Sequence, residues 1–283
     1  MTTTDVRADP LPGMPQRLFT CTPSRLLTWF DCPRRYRMTY LDRPRPAKGP
    51  PWAHLSLGAA VHAAIAAWWH LPRPQRTVGS AGQLLDRAWS ADGFRDDEQA
   101  ERWRLRAREM VAAHVSALDP ADEPVGVERT VAFRTQTLAV SGRLDRLDRR
   151  GEELVVVDYK TGRRVPTTDE TRGSLALALY ALAAERVLHR RCRRVELHHL
   201  PSGEVVAHEH SDDALQRHLR RAEDLAADAV AGVAAGEFPA RPGRQCAWCD
   251  FAAHCPEGRA AGPPADPWSG LADEFAEPEV LPE

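Results

Sequence analysis

Two acidic residues and a lysine follow apolar runs that are typical of paired β-strands. The segment 138–161 reads LAVSGRLDRLDRRGEELVVVDYKT. Its arms, 138–148 and 154–160, alternate apolar residues or are rich in β-branched ones, and residues 149–152 between them include a glycine suited to a turn. Asp158 and Lys160 are two residues apart, so we expect them to project from one face of the second strand.

The register of this hairpin decides where the first acid lies. With Arg150 and Gly151 as the centre of the turn, Asp145 lies opposite Val156 and diagonal to Asp158. Both carboxylates and the lysine then share one face of the hairpin. Carboxylate oxygens are preferred ligands of hard divalent cations such as Mg²⁺. A neighbouring lysine can orient or deprotonate an attacking water.

Lysine is rare in this chain. Of 38 basic residues only Lys48 and Lys160 are lysines, which leaves 36 arginines. Arginine stays protonated, whereas a buried lysine can lower its pKa and exchange a proton. A lysine beside two aspartates therefore indicates a chemical requirement. A purely structural ion pair between Asp158 and Lys160 is the alternative interpretation.

Length and charge restrict the class of protein. With 283 residues the chain can bury a full core, as one large domain or one with an insertion. The formal net charge of -2 means that contact with nucleic acid must come from local arginine patches. The first residues lack the pattern of a signal peptide and no long apolar run follows, so we expect a soluble, cytoplasmic protein without a membrane partner.

Periodicity and breaker residues divide the chain into elements. We expect a disordered tail over 1–19, helices over 25–40 (interrupted at Cys32 and Pro33) and 55–71, a helical insertion over about 73–120, a strand over 125–134, the hairpin, a helix over 169–188, a second hairpin over 195–210, a helix over 211–235 and a disordered acidic tail over 263–283. The four histidines of the second hairpin alternate between strand faces, which favours surface positions over a metal site.

A cysteine cluster lies near the end of the chain. Cys246, Cys249 and Cys255 have the spacing Cys-x2-Cys-x5-Cys, which lets three thiolates reach one metal centre. A fourth ligand must come from elsewhere, and the candidates are Cys21, Cys32, Cys192 and, for zinc, His254. Iron-sulfur and zinc are both compatible with this spacing, and either would contribute to folding rather than to catalysis.

In this order the motifs resemble the RecB-like branch of the PD-(D/E)xK nucleases. The resemblance is carried by Cys32-Pro33, Gly58-x-x-x-His62, Gly142-Arg143-Leu144-Asp145, Asp158-Tyr159-Lys160, Tyr180 and the three-cysteine cluster. It implies an α/β, restriction-endonuclease-like fold with a mixed β-sheet core flanked by helices, in a nuclease domain over 20–262.

The resemblance also implies roles for single residues. Asp145, Asp158, Lys160 and Tyr180 would be catalytic, and His62, Asp145 and Asp158 would bind Mg²⁺ or Mn²⁺. A [4Fe-4S] cluster would be held by Cys32, Cys246, Cys249 and Cys255. Arg143, Arg146, Arg163 and Arg164 would contact the DNA backbone. Glu128, on the strand before the hairpin, is a further candidate acid near the metal.

The implied activity is metal-dependent DNA hydrolysis, as an exonuclease of repair or recombination, with CRISPR adaptation as another setting. Ala176 stands where the family usually carries a glutamine, which raises the alternative of a DNA-binding or scaffolding subunit with a weakened site. A zinc-stabilised protein without enzymatic activity is a third possibility. No G-x-x-x-x-G-K-[ST] motif occurs, so a helicase would be a separate chain. Such a helicase or a repair protein could dock on the C-terminal tail, where Trp268, Leu271 and Phe275 form a short apolar motif.

Overall fold

A six-stranded mixed sheet forms the centre of the computed structural model, which describes residues 18–271. The strands are β1 (Phe19–Cys21), β2 (Gly126–Arg134), β3 (Leu138–Arg150), β4 (Glu153–Lys160), β5 (Cys192–His199) and β6 (Glu204–Glu209). β3 pairs parallel with β1 near its start and antiparallel with β4 near its end, and β2 lies antiparallel along it. β4 pairs parallel with β5, and β6 closes the order antiparallel to β5.

Helices cover both faces of this sheet. They are α1 (Pro23–Asp31), α2 (Pro33–Tyr40), α3 (Ala53–Trp69), α4 (Val78–Ala88), α5 (Asp97–Ser116), α6 (Thr168–Gly173), α7 (Leu175–Leu188), α8 (Asp212–Ala235) and α9 (Pro256–Ala260). The core on one face joins α7 and α8 to Val156 of β4, and the core on the other joins α3 and α5 to Val155 and Val157. Strand β4 is therefore buried on both sides, as its unbroken apolar run indicates. The predicted α/β architecture with a mixed, helix-flanked sheet is confirmed.

The predicted helix boundaries follow local signals. Thr22 caps α1 by accepting from Arg25 N, and Pro33 starts α2 directly after Cys32. Ser211 caps α8, and Gly236 ends it with a φ of 71°. The single helix predicted over 169–188 is wrong, because it is divided at Ser174 into α6 and α7. The side chain of Ser174 caps α7, and its own backbone is extended.

The register of the central hairpin differs from the predicted one. Gly151 and Glu152 form the turn, with a φ of 62° at Gly151, so Arg150 pairs with Glu153 and Arg146 with Val157. The two-residue turn shifts the pairing by two positions relative to the predicted one. The pairing ends at Arg146 and Val157, so Asp145 and Asp158 each follow the last pair, and Asp145 does not lie opposite Val156.

The ends of the chain contribute more structure than the predicted tails allow. Residues 1–17 and 272–283, which include Phe275, lie outside the described residues. Phe19 already belongs to β1, because its backbone extends the edge of β3. Leu271 is buried, and its carbonyl accepts a hydrogen bond of 3.1 Å from Trp103 Nε1. A tail that begins at residue 263, with Leu271 presented to a partner, is therefore wrong for 263–271.

The second hairpin also differs from expectation, because His199 and His210 are buried rather than at the surface. His199 Nδ1 lies 2.7 Å from Ser202 Oγ and its Nε2 lies 2.7 Å from the carbonyl oxygen of Gly162. These partners satisfy the imidazole, so its burial is tolerated. The second contact ties β5 to the loop that follows Lys160.

No helix among the residues that the structure describes is long and apolar enough to cross a membrane.

Substitution of Gly142 tests the close packing between β3 and α7. A Cβ at this position would overlap the ring of Tyr180, whereas a Cβ at Gly173 would meet nothing within 4 Å. We expect Gly142→Ala to lower the free energy of unfolding by about 1–3 kcal/mol, measured by urea denaturation. The matched variant Gly173→Ala should unfold close to the parent. Equal stability of both variants would show that α7 is not packed against β3 in this way.

Candidate metal centre

Three side chains from three elements converge at the end of the sheet. His62 of α3, Glu128 of β2 and Asp145 of β3 each offer a ligand atom, and these atoms lie within 4.8 Å of one another. His62 Nδ1 is 3.3 Å from Asp145 Oδ1. One imidazole and two carboxylates are a donor set that suits a divalent cation such as Mg²⁺ or Mn²⁺. The residues present therefore fit the predicted metal.

Helix α3 brings His62 to the sheet because its small residues allow close approach. Gly58 lies one turn before His62, and a Cβ there would stand 3.2 Å from Thr161 Oγ1. The loop after β4 therefore packs directly on the helix. The spacing Gly58-x-x-x-His62 thus has a steric basis in this chain, since a side chain at position 58 would press on that loop.

The backbone of β2 is distorted at Glu128, which has a φ of 48°. Its neighbours Val127 and Arg129 pair with Arg146 and Leu144, so Glu128 stands opposite Asp145 in the ladder. A left-handed conformation at a residue other than glycine costs about 1–3 kcal/mol and is often found at functional sites. Here it accompanies a carboxylate that reaches the His62 and Asp145 cluster. The sequence suggested this acid only by its place on the neighbouring strand.

Asp145 is held by contacts on both carboxylate oxygens. Oδ2 accepts a hydrogen bond of 2.8 Å from the backbone N–H of Tyr159, and Oδ1 faces His62. On β4, Asp158 Oδ2 lies 2.5 Å from Lys160 Nζ. Asp145 and Asp158 each lie one residue beyond the last pair of the hairpin, Arg146 with Val157. The sequence-predicted groups His62, Asp145 and Lys160 line one cavity, and Asp158 adjoins it through its ion pair with Lys160. The carboxylate that converges with His62 and Asp145 is Glu128, where the sequence predicted Asp158.

The acids change the proton affinities of their neighbours. Burial raises the pKa of Asp158, the Lys160 ammonium opposes this rise, and the charge of Asp145 adds to it. For His62, burial lowers the pKa, but the hydrogen bond to Asp145 and the charges of Asp145, Asp158 and Glu128 outweigh burial and raise it above its usual value. The pKa is raised for both His62 and Asp158, and in both cases neighbouring negative charge contributes to the rise.

Tyr180 borders the same site from α7. Its ring packs over Gly142 of β3, and burial together with the charges of Asp158 and Asp145 raises the pKa of its hydroxyl. Ala176 lies one helical turn before Tyr180 and is also partly exposed. An alanine at this position offers no polar group toward the acids.

The four predicted DNA-contacting arginines have different surroundings. Arg146 is buried, with Nη1 donating to Tyr159 Oη at 3.1 Å and Nε 2.9 Å from Asp148 Oδ1. It holds the sheet together, so its assignment to DNA is wrong. Its guanidinium also lies 5.6 Å from the ring centre of Trp69 on α3. Arg143 pairs with Glu128 at 2.7 Å, Arg164 pairs with Glu170, and Arg163 lines the cavity described next.

An open cavity of about 910 Å³ lies in front of the cluster. His62, Glu128, Asp145 and Lys160 line one part of it, together with Arg143 and Arg163. This volume is at the upper end of the ~300–1,000 Å³ usual for small-molecule sites. Two lining residues that sequence reasoning missed are His54 and Trp248. Trp248 lies inside the Cys-x2-Cys motif, in which the pattern of metal ligands involves only the cysteines.

A second, small cavity of about 30 Å³ is lined by Cys32, Cys246, Cys249 and Cys255. Cys21 and Cys192 are instead buried in the main core. A Cβ at Gly258 would lie 3.3 Å from Cys255 Sγ and 3.8 Å from Cys246 Sγ, so the glycine keeps the space between these thiols open. The backbone N–H of Gly258 donates to Cys255 Sγ at 3.3 Å. Thiol groups gathered around one small cavity are donors of the kind that zinc and iron-sulfur groups use.

Comparison with known proteins gives one family and one shared fold. The model of the PD-(D/E)XK nuclease superfamily matches residues 20–256. A crystal structure of a proposed exonuclease from Eubacterium rectale aligns over 84% of this chain and 87% of its own, with a TM-score of 0.53 at 13% identity. That of SSO0001 covers 85% and 87% at 15% identity, but its TM-score of 0.39 is too low to support an argument. No curated protein matches the sequence at a significant level.

Glu128 provides a test of the cluster that does not depend on activity. We expect Glu128→Gln to weaken Mn²⁺ binding about tenfold or more, because the amide keeps the size of the side chain and removes its charge. Isothermal titration with MnCl₂ measures this change. Glu204→Gln, an exposed acid at the start of β6, is the matched control and should bind as the parent does. Unchanged Mn²⁺ affinity in Glu128→Gln would exclude Glu128 from the site.

Proposed function

We propose that this chain, which belongs to the PD-(D/E)XK nuclease superfamily, is a Mg²⁺- or Mn²⁺-dependent deoxyribonuclease of the RecB-like branch. The observation that carries the proposal is the convergence of His62, Glu128 and Asp145 in front of an open cavity, with Asp158 and Lys160 adjoining them. Hydrolysis of a phosphodiester needs a cation, a positioned water and compensation of negative charge. These residues can bind the cation, position the water and offset the negative charge.

His62, Asp145 and Asp158 would hold the cation, with Glu128 as an additional ligand. Bound there, Mg²⁺ or Mn²⁺ lowers the pKa of a water and offsets charge on the phosphate. The N–H of Tyr159 fixes the orientation of Asp145, so little rearrangement is needed when the ligands are used. The raised pKa of His62 means that the imidazole must lose its proton before it can act as a ligand.

Lys160 has the position of the proton-handling group. Its ammonium is half exposed and lies 2.5 Å from Asp158, so it reaches the cavity while remaining tied to the cluster. From there it can donate a hydrogen bond to an attacking water or to a phosphate oxygen. Asp158 fixes the direction of the ammonium. The ion pair that was the alternative interpretation is thus present and compatible with a chemical role.

Contact with DNA would rest mainly on phosphate groups. Arg143 and Arg163 line the cavity, and Arg164 follows Arg163 in the loop after β4. Arginine contacts with phosphates would make DNA binding salt-sensitive, with little readout of base sequence. Arg143 now pairs with Glu128, so cation binding by Glu128 would release the guanidinium toward a phosphate. The name of the Eubacterium rectale structure supports attack from a strand end. From the resemblance to RecB-like nucleases we infer DNA repair or recombination as the setting.

We further propose that Cys32, Cys246, Cys249 and Cys255 hold a [4Fe-4S] cluster. Support comes from four thiols around one cavity and from the N–H of Gly258 directed at a sulfur, as is common around iron-sulfur ligands. Such a cluster would join α1 and α2 to the segment that ends at α9. Structural zinc is the alternative occupant of the same thiols.

A second candidate function is a DNA-binding or scaffolding subunit with weakened catalysis. Ala176 favours it, because the face of α7 next to Tyr180 lacks the polar group that the family usually places there. The two functions make different predictions for purified protein. A nuclease cleaves DNA with Mg²⁺ or Mn²⁺, and a scaffold binds DNA without cleaving it.

Cleavage should depend on both members of the ion pair at the cavity. We expect Lys160→Met to slow release of labelled nucleotides from linear DNA by roughly 10²–10⁴-fold, the usual contribution of a proton-transfer group. Asp158→Asn should also slow it, because it removes the charge of a proposed cation ligand. Lys48→Met is the matched control, since Lys48 forms the other lysine-aspartate pair, with Asp250 at 3.0 Å. That variant should cleave as the parent does. Undiminished cleavage by either site variant would refute the assigned roles.

The metal content of anaerobically purified protein distinguishes the two occupants of the cysteine site. We expect about four iron atoms and four sulfides per chain with a visible charge-transfer band. Cys249→Ala should lose most of the iron, whereas Cys192→Ala, a buried cysteine of the main core, should retain it. Zinc without iron in the parent would contradict the cluster proposal.

A further inference from the structure

Apolar side chains form part of the wall of the cavity in front of the metal centre. Trp248 and Leu55 line it and are both exposed, 39% and 59% respectively. His54 precedes Leu55 in α3 and lines the same cavity, with its ring next to that of Trp248. Large apolar side chains with this exposure are unusual beside a charged site, since a tryptophan with only a packing role is buried, as Trp68 is in this chain.

The ring of Trp248 is packed against several neighbours. It lies between Cys246 and Cys249 in a short 3-10 turn in which Cys249 N donates to Cys246 O at 3.2 Å. Its ring centroid lies 5.2 Å from that of Trp52 and 5.6 Å from that of His54. A Cβ on Gly270 would touch the indole at 3.4 Å, so the chain packs closely along that edge too. A side chain whose position is already restricted by packing loses less entropy when a flat ligand stacks on it.

Helix α3 connects this wall to the metal centre. Leu55, Gly58, Ala59, His62 and Ala63 line the cavity at helical spacing, so one stripe of α3 forms its floor. The small residues between Leu55 and His62 leave the stripe open. Seven residues of helix span roughly 10 Å, a distance within the reach of a dinucleotide.

We propose that Trp248, with Leu55 beside it, is a stacking platform for a terminal or unpaired nucleobase of the substrate. This inference rests on the proposed nuclease function. Arg143, Lys160 and Arg163 line the same cavity and supply positive charge for the phosphates of a strand whose base lies on the indole. An apolar face beside a cationic rim is the combination by which proteins bind single strands.

An open base face is required by the geometry of stacking. Inside a duplex both faces of each base are covered by its neighbours, so only a terminal or unpaired base can offer a face to Trp248. The same residue also makes substrate binding depend on the cysteine turn, because the turn fixes the indole at the cavity.

Binding of short fluorescent oligonucleotides tests the platform, with Ca²⁺ in place of Mg²⁺ so that cleavage is not the readout. Fluorescence anisotropy would compare a deoxythymidine oligonucleotide with an abasic oligonucleotide of equal charge. We expect Trp248→Ala to weaken binding of the first by roughly fivefold to a hundredfold, as loss of one stacked base does, and to leave binding of the abasic strand unchanged. Trp248→Phe should stay within about threefold of the parent, because the ring can still stack.

Leu55→Ser supplies a variant that does not touch the cysteine turn, and Val230→Ser, with an exposure of 51% on α8, is its matched control. We expect weaker binding of the deoxythymidine strand only in Leu55→Ser. Equal loss on both oligonucleotides, or parental binding by Trp248→Ala, would overturn the platform. If the parent cleaves DNA but Trp248→Ala binds the deoxythymidine strand as the parent does, the platform alone is refuted. If binding depends on Trp248 but the parent does not cleave DNA in Mg²⁺ or Mn²⁺, the nuclease function alone is refuted.

Discussion

The carboxylate of Asp145 is the contact on which the arrangement of the site depends. One oxygen accepts the N–H of Tyr159 on β4, and the other faces His62 on α3, so a single side chain joins two strands and a helix. Asp158 and Glu128 approach it closely, which is unfavourable for like charges. Lys160 pairs with Asp158 and Arg143 pairs with Glu128, and these cations offset that repulsion. A divalent ion held by the same acids would offset it as well.

Burial behind the site keeps these groups in place. Tyr159 lies on the opposite face of β4 from Asp158, and its hydroxyl accepts from buried Arg146. Val155 and Val157 pack on α3 and α5, so the helix that carries His62 is fixed by an apolar core rather than by polar contacts. The helical insertion therefore has a structural role at the site, since it covers the far side of the strand that carries Asp158 and Lys160.

The sequence predicted those features of the structure that depend on residues close together in the chain. The caps of α1 and α8, the break at Cys32 and the buried strand β4 follow from residue types and spacing, whereas the role of His62 came from the family resemblance. The failures have two causes. The hairpin register depends on which residues form the two-residue turn. Arg146 and Leu271 are buried against Tyr159 and Trp103, which are distant from them in sequence.

Anomalous diffraction from crystals grown with Mn²⁺ tests most directly whether a cation is held where β2, β3 and α3 meet. Data at the manganese absorption edge should show a strong peak within coordination distance, about 2.0–2.3 Å, of His62 and Asp145, with Asp158 or Glu128 completing the ligands. A fully ordered site with no peak there, or with manganese bound only elsewhere on the chain, would contradict the metal-dependent chemistry from which the proposed nuclease activity follows.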